Sequence, residues 1–299
     1  MASQTEIKGI VVPIITPLKP DESVDEFSLR KVVRHVIAGG VHGIFVNSST
    51  GEAMSLLDAE REKAIRIVVE ETNRAVPVFV GVSDTSTRRV IHNLEFTNKL
   101  DIEAIVVHPY FFYPLNCPSE IINFYNEIAA AAAHPLIVYD IPSTTKIKLS
   151  LAVVTELMKN EKIIGIKDSS VDFLNLIELI DLKKFRPDFK IFIGKSHLWT
   201  GGILEGADGG LDGLSNLVPD LCVKLYDLII KQNLSEAYAL QHKLNAIWKV
   251  YQCRSFLSGI KTAVSLLGLC SNSVTHPNEP ASPEEIERIR KILKFHDLI

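Results

Sequence analysis

The stretch Ile163-Ile164-Gly165-Ile166-Lys167-Asp168-Ser169 is apolar or small for four residues and then presents one lysine. Burial disfavours an ammonium ion, so a lysine at the end of a buried strand is driven towards the neutral amine that attacks a carbonyl carbon. The same heptapeptide also fits a lysine that carries its head out to solvent just beyond the strand. Three other segments bear on the choice. In Asn47-Ser48-Ser49-Thr50-Gly51-Glu52, two hydroxyls and successive backbone N–H groups before a glycine make a turn suited to a carboxylate, although Ser, Thr and Gly are also ordinary turn residues. Tyr139, in Tyr139-Asp140-Ile141-Pro142-Ser143, can pass protons at a reacting centre or serve as a core tyrosine with a satisfied hydroxyl. The segment His108-Pro109-Tyr110-Phe111-Phe112-Tyr113-Pro114 sets four aromatics between prolines, suited to roofing a pocket or to a subunit contact, with His108 read as a packing residue.

Something must hold these residues together. Short β-type runs at Gly9–Ile15, Gly43–Asn47, Val76–Val80, Ala104–Val107, Leu136–Tyr139, Ile163–Lys167, Ile191–Ile193 and Gly209–Leu211 alternate with helical patterns. The clearest of those are Glu26–Ala38, Asp58–Thr72, Ser119–Ala133 and Val171–Lys184. Nearly all-apolar strands separated by helices indicate a parallel sheet covered on its outer face. Eight such units with no long linker predict an α/β fold, a closed (β/α)8 TIM barrel, and no Gly-x-Gly-x-x-Gly follows an early strand as a dinucleotide fold would require. In a barrel of this kind the chemistry sits at the C-terminal ends of the strands, where all four segments fall. Beyond the eighth unit, completed by Pro219–Lys231, come Leu234–Tyr251, Ser255–Leu267 and Pro283–Phe295, helical patterns without strands. The predicted division is a barrel over 1–232 and a C-terminal helical subdomain over 233–299.

Bulk properties narrow the partners. The 299 residues are 46% hydrophobic and 23% charged, with a formal net charge of -4, so neither a basic stripe for nucleic acid nor a polybasic membrane patch is expected. Cys117, Cys222, Cys253 and Cys270 are scattered, which fits free thiols in a cytoplasmic protein better than disulfides or a zinc site. Residues 1–25 lack the unbroken apolar stretch of a signal peptide, and no run reaches the length of a membrane span. No metal-ligand spacing, Gly-x-Ser-x-Gly or Walker-type loop occurs, so no metal is expected.

Taken jointly, the motifs resemble the dihydrodipicolinate synthase / N-acetylneuraminate lyase (DapA-like) superfamily of class I aldolases. The resemblance is carried by Pro13-x-x-Thr16-Pro17, Ser49-Thr50-Gly51-Glu52, Tyr139-x-x-Pro142 and Gly165-Ile166-Lys167-Asp168, and runs over essentially the whole chain. It implies pyruvate held as a Schiff base on Lys167, with no cofactor beyond that covalent imine. Ser49 and Thr50 would hold the carboxylate, and Tyr139 would be the general acid/base. The catalytic set is then Lys167, Tyr139 and Thr50. Substrate contacts are expected from Ser49, Thr50, Gly51, Tyr110, Phe111, Thr144, Ser169, Gly194, Ser196 and Leu211.

The departures narrow the substrate. Where the synthase branch has an arginine for a second carboxylate this chain has Thr144, and where it has a relay tyrosine on the strand-4 loop this chain has Phe111. The acidic residues by which the sialic acid lyase branch grips a sugar are replaced by Gly194-Lys195-Ser196-His197, and Asp212 stands where many members carry a small residue. The resemblance therefore implies a lyase acting on a 2-keto-3-deoxy sugar acid, yielding pyruvate and an aldehyde, of the 2-keto-3-deoxygluconate aldolase type. Dihydrodipicolinate synthase, N-acetylneuraminate lyase, a dehydratase or deaminase of a related 2-oxo acid, and a non-catalytic 2-oxo-acid sensor stay as alternatives. The aromatic loop and the resemblance together favour a homodimer or homotetramer.

Overall fold

The computed structural model describes residues 7–113 and 117–299; Pro114 and the first six residues of the leading segment lie outside them. Eight parallel strands form a closed barrel: β1 (Gly9–Pro13), β2 (Gly43–Val46), β3 (Val78–Gly81), β4 (Ala104–Val107), β5 (Leu136–Asp140), β6 (Ile163–Asp168), β7 (Lys190–Ile193) and β8 (Gly209–Gly210). Closure is made by β1, which pairs with β2 at Val11↔Gly43 and with β8 at Gly9↔Gly209. Around it run α1 (Glu26–Ala38), α2 (Asp58–Thr72), α3 (Thr87–Thr97), α4 (Pro118–Ala131), α5 (Pro142–Thr145), α6 (Leu151–Leu157), α7 (Phe173–Asp181), α8 (Trp199–Leu204) and α9 (Pro219–Ile230). Then follow α10 (Leu234–Ile247), α11 (Phe256–Leu266) and α12 (Pro283–Phe295). No helix among the described residues is long and apolar enough to cross a membrane.

The alternation of each strand divides the core in two. Outward residues such as Ile10, Ile44, Val80, Ile105 and Val138 meet the helices, while Val11, Phe45, Phe79, Val106, Ile137 and Phe192 fill the barrel. Full burial of each such side chain contributes ~1.5–3 kcal/mol, which is why nearly every strand residue is apolar. Local chemistry sets the helix starts. Asp25 accepts from Ser28 N to cap α1, Asp172 accepts from Asn175 N to cap α7, and Ser282 with Glu285 forms a reciprocal box on α12.

Several boundaries differ from the sequence reading, each for a physical reason. Strand β1 stops at Pro13 because Ile15 N turns away to the side chain of Asn216, 3.0 Å distant. Helix α3 has no clear sequence signature, since only Val90, Leu94 and Thr97 are buried and its apolar stripe is thin. The helix read as Leu234–Tyr251 is α-helical to Ile247 and then tightens into a 3-10 turn, Trp248–Tyr251. In that geometry residues three apart eclipse, so Trp248 and Tyr251 share one side.

One irregularity governs the barrel interior. Leu136 pairs with Ile163, yet Ile137 pairs with Gly165, so β6 spends an extra residue, Ile164, on one step of β5. The bulge brings Lys167 opposite Tyr139, on the inner face, and Asp168 opposite Asp140, behind it. Gly165 is required there: a Cβ would stand 2.6 Å from the carbonyl oxygen of Lys190.

Two buried polar features tie the frame together. Glu52, in left-handed backbone at φ 61°, is buried with its carboxylate against the ammonium of Lys261 on α11. It also accepts from Thr275 N at 2.7 Å and Thr275 Oγ1 at 2.8 Å, and Lys261 donates to Ser273 O at 2.7 Å. Burial pulls the Lys261 pKa down while Glu52 pulls it back up. Outside the barrel, Asp140 accepts from Leu149 N through Oδ1, and its Oδ2 has no partner among the described residues. Burial, with the neighbouring Asp168 adding to it, pushes the Asp140 carboxyl up to about 7.

Removing one member of the Glu52–Lys261 pair leaves a buried charge unmatched, at a cost of about 3–5 kcal/mol. Lys261→Met is expected to lower the thermal midpoint sharply, and Glu52→Gln added to it to recover part of the loss, both read by calorimetry. For Asp140 the folded pKa lies above the ordinary ~3.9, so the folded chain holds a proton that the unfolded chain releases. That contribution to stability is present at low pH and is lost as pH rises towards and through about 7. Asp140→Asn is expected to flatten the fall in thermal midpoint between about pH 5 and pH 8; an identical slope in the variant would count against it.

Candidate active site

A cavity of about 470 Å³ opens where the strands end. Pro13, Ser49, His108, Tyr139, Lys167, Gly194 and Leu211 bring to it the ends of seven strands, and Trp248, Tyr251, Phe256 and Leu257 cover it from the C-terminal helices. Lys167 is only 4% exposed. Its Nζ lies 3.9 Å from the centroid of the Tyr139 ring and 5.4 Å from that of Phe45. The amine thus stacks on the aromatic face, and no hydrogen bond joins it to the Tyr139 hydroxyl among the described residues.

The loop after β2 is held by a set of buried hydrogen bonds. Asn47, at φ 58°, turns the chain and donates from Nδ2 to Gly81 O at 2.6 Å. Ser48 Oγ accepts from Gly51 N at 3.1 Å, and Thr16 Oγ1 donates to Gly51 O at 2.7 Å. These bonds, with Glu52 anchored behind them, fix the loop while Ser49 and Thr50 face the cavity. Successive N–H groups in such a turn converge on negative charge.

His108 is buried beside them, edge-on to Phe111 and to Tyr139. Burial lowers its pKa, and Nδ1 lies 2.9 Å from Pro109 O, which makes Nδ1 the protonated nitrogen and leaves Nε2 an acceptor. At the neighbouring strand ends, Ser169 Oγ is buried without a partner among the described residues and sits 1.8 Å from where a Cβ on Gly194 would lie. Any side chain at 194 would displace that hydroxyl from the cavity wall.

On the β7–β8 side stand Lys195 and Asp212. Asp212 is buried; Oδ1 accepts from Leu214 N at 2.9 Å and Oδ2 from Ser196 N at 3.3 Å. Burial raises its pKa, opposed by those backbone N–H groups and by Lys195 and Lys167.

Of the residues expected from sequence, the cavity brings together Lys167, Tyr139, Ser49, Thr50, Thr144, Ser169, Gly194 and Leu211. It does not bring in four others. Gly51 is buried under Ile14 O and Thr16, where a Cβ would have 3.0 Å, and shapes the loop from behind. Ser196 is buried, and its carbonyl accepts from Gln241. Tyr110 stacks on Tyr113, and Phe111 packs on His108, away from the wall. Conversely, Lys195, Trp248 and Tyr251 line the cavity without having been singled out as site residues. The one available signal was the pair Trp248-x-x-Tyr251, whose spacing puts two rings on one side of a helical turn.

Known proteins can now be set beside this geometry. Residues 6–296 match the Dihydrodipicolinate synthetase family. A DapA-like lyase of Pyrococcus horikoshii is 32% identical over 291 residues, covering 96% of this chain and 100% of the relative. The dihydrodipicolinate synthase of Bacteroides thetaiotaomicron superposes with a TM-score of 0.93 at 31% identity, over 98% of this chain and 100% of that one. YagE, a prophage protein of E. coli K12 solved in complex with pyruvate, gives a TM-score of 0.94 at 26% identity, over 98% and 99%. On a match of that extent, the chain belongs to the Dihydrodipicolinate synthetase family and to its DapA-like lyases.

Proposed function

We propose that this family member is a Schiff-base-forming lyase that cleaves, or makes, the carbon–carbon bond between pyruvate and an aldehyde in a 2-keto-3-deoxy sugar acid. The observation that carries the reading is the Lys167 amine, buried at the cavity floor against the face of Tyr139. A 2-oxo acid entering with its carboxylate on the N–H groups and hydroxyls of Ser49 and Thr50 sets its C2 carbonyl over Lys167. The amine adds to C2, Tyr139 gives its phenolic proton to the departing hydroxyl, which leaves as water, and the cationic imine becomes an electron sink. The Tyr139 phenolate left by that step takes the proton of the C4 hydroxyl while the C3–C4 bond breaks. Its electrons pass to the imine nitrogen, releasing the aldehyde and leaving an enamine. Protonation at C3 and hydrolysis of the imine then return pyruvate and free Lys167. The catalyst in this scheme is the covalent imine, with no metal or further cofactor drawn on.

Supporting the sugar acid is the mouth of the cavity, where Ser143 and Thr144 present hydroxyls suited to a polyol chain. Exposed Phe112 (80%) and Tyr113 (65%) support the expected self-association, and four free cysteines suit a cytoplasmic location.

Pyruvate release from 2-keto-3-deoxygluconate, followed through lactate dehydrogenase, tests the reading. Release is expected from the native chain and none from Lys167→Ala, and borohydride reduction with pyruvate is expected to trap an adduct on Lys167. Full turnover by Lys167→Ala would end every imine-based version. Tyr139→Phe is expected to lower kcat by about 10²–10⁴-fold with the adduct still trapped, as for loss of a general acid/base.

A further inference from the structure

The scheme above makes no use of Asp212, Tyr251, Lys195 or Trp248, which together form one side of the cavity. Asp212 cannot swing: each carboxylate oxygen is held by one backbone N–H, from Leu214 and from Ser196, and each keeps accepting capacity. Tyr251 stands next to it. A Cβ on Gly213 would lie 2.7 Å from Tyr251 Oη and 3.4 Å from Thr50 Oγ1, so the phenol reaches the loop that faces Lys167 only because residue 213 is glycine. Burial first, and Asp212 second, push the Tyr251 pKa well up, so the phenol stays a neutral donor. Charge then decides what this side accepts. Lys195 acts on Asp212 through space and offsets its negative charge. Glu52 is already matched by Lys261, and the Lys167 cation arises beside the keto-acid carboxylate. Lys195 and Asp212 thus oppose each other in charge on this side, while a fixed acceptor and a fixed donor stand next to each other beside the indole of Trp248.

We propose that Asp212 and Tyr251 form the subsite for the aldehyde half of the substrate, selecting a neutral, hydroxyl-bearing chain and disfavouring phosphorylated or carboxylate-bearing aldehydes. Asp212 accepts from a hydroxyl of that chain and Tyr251 donates to one. This rests on the pyruvate lyase reading and adds to it which aldehyde is chosen and by which side chains.

The test is condensation of pyruvate with glyceraldehyde and with glyceraldehyde 3-phosphate, measured as kcat/KM for each by the native chain, Asp212→Asn and Tyr251→Phe. The native chain is expected to favour glyceraldehyde. Each variant is expected to lose about tenfold in kcat/KM on it, the usual effect of removing one hydrogen bond to a polar substrate group. The ratio of the two aldehydes should fall by about threefold or more, because Asp212→Asn also removes the repulsion of an anion. Tyr251→Phe serves where Asp212→Asn does not fold, since it deletes one oxygen without adding charge. A native preference for the phosphorylated aldehyde, or a ratio changed by less than about threefold in both variants, would overturn the subsite. If pyruvate leaves no borohydride-trapped adduct on native Lys167, the lyase reading itself fails and the subsite falls with it. An adduct with an unmoved ratio sinks the subsite alone.

Discussion

The chemistry of this barrel hangs on one extra residue in β6. Ile163 faces the helices, and strict alternation would carry Gly165 and Lys167 outward with it. By opposing two residues to one between Leu136 and Ile137, the strand changes face, and Lys167 arrives inside the barrel beside Tyr139. Glycine at 165 makes the turn-over feasible, because the backbone of β7 occupies the space a side chain would need. The same shift sends Asp168 behind the strands to lie beside Asp140, whose outward place follows from the regular alternation of β5, and burial raises the pKa of both. A well-placed amine and the pairing of Asp168 with Asp140 behind the strands are thus two results of one change of register.

The second constraint is long-range. The loop after β2, which faces the cavity, is pinned at Glu52, in left-handed backbone, by a lysine and a threonine more than 200 residues further along the chain. Lys261 on α11 and Thr275 in the segment after it are continuous with the stretch that provides Trp248, Tyr251, Phe256 and Leu257 to the cavity. Loop and cover are therefore set in position by one ion pair, and neither is independent of the other.

Much of the frame is legible in the residues. Val- and Ile-rich runs mark seven of the strands, and Lys167 and Tyr139 are visible because a lysine and a tyrosine at strand ends stand out from apolar surroundings. Strand β8 is only Gly209–Gly210, held by its neighbours and by the ring of Trp199, which occupies the space of a Cβ at 210. What escapes sequence reading is what depends on distance in the chain. Glu52 looks like part of an anion-binding turn, and its buried partner at 261 has no local signature. Ser196 looks like a hydroxyl for substrate, yet its side of the turn faces inward and only its backbone N–H serves the site, through Asp212. Lys195 and Tyr251 join that site from separate elements, which periodicity within either segment cannot reveal. The bulge too is silent, since Ile-Ile-Gly-Ile satisfies either face of a buried strand.

The placement of the Glu52–Lys261 pair has a consequence for how the chain is made. Synthesis runs from the N-terminus, and the barrel strands leave the ribosome before α11 does. Until residue 261 emerges, the loop after β2 carries an acidic side chain in a place that only a cation can make tolerable, so the nascent barrel has reason to keep that loop open. Late arrival of the last helices then does more than cover the cavity: the Glu52–Lys261 pair that anchors the loop after β2 can form only once α11 has been made.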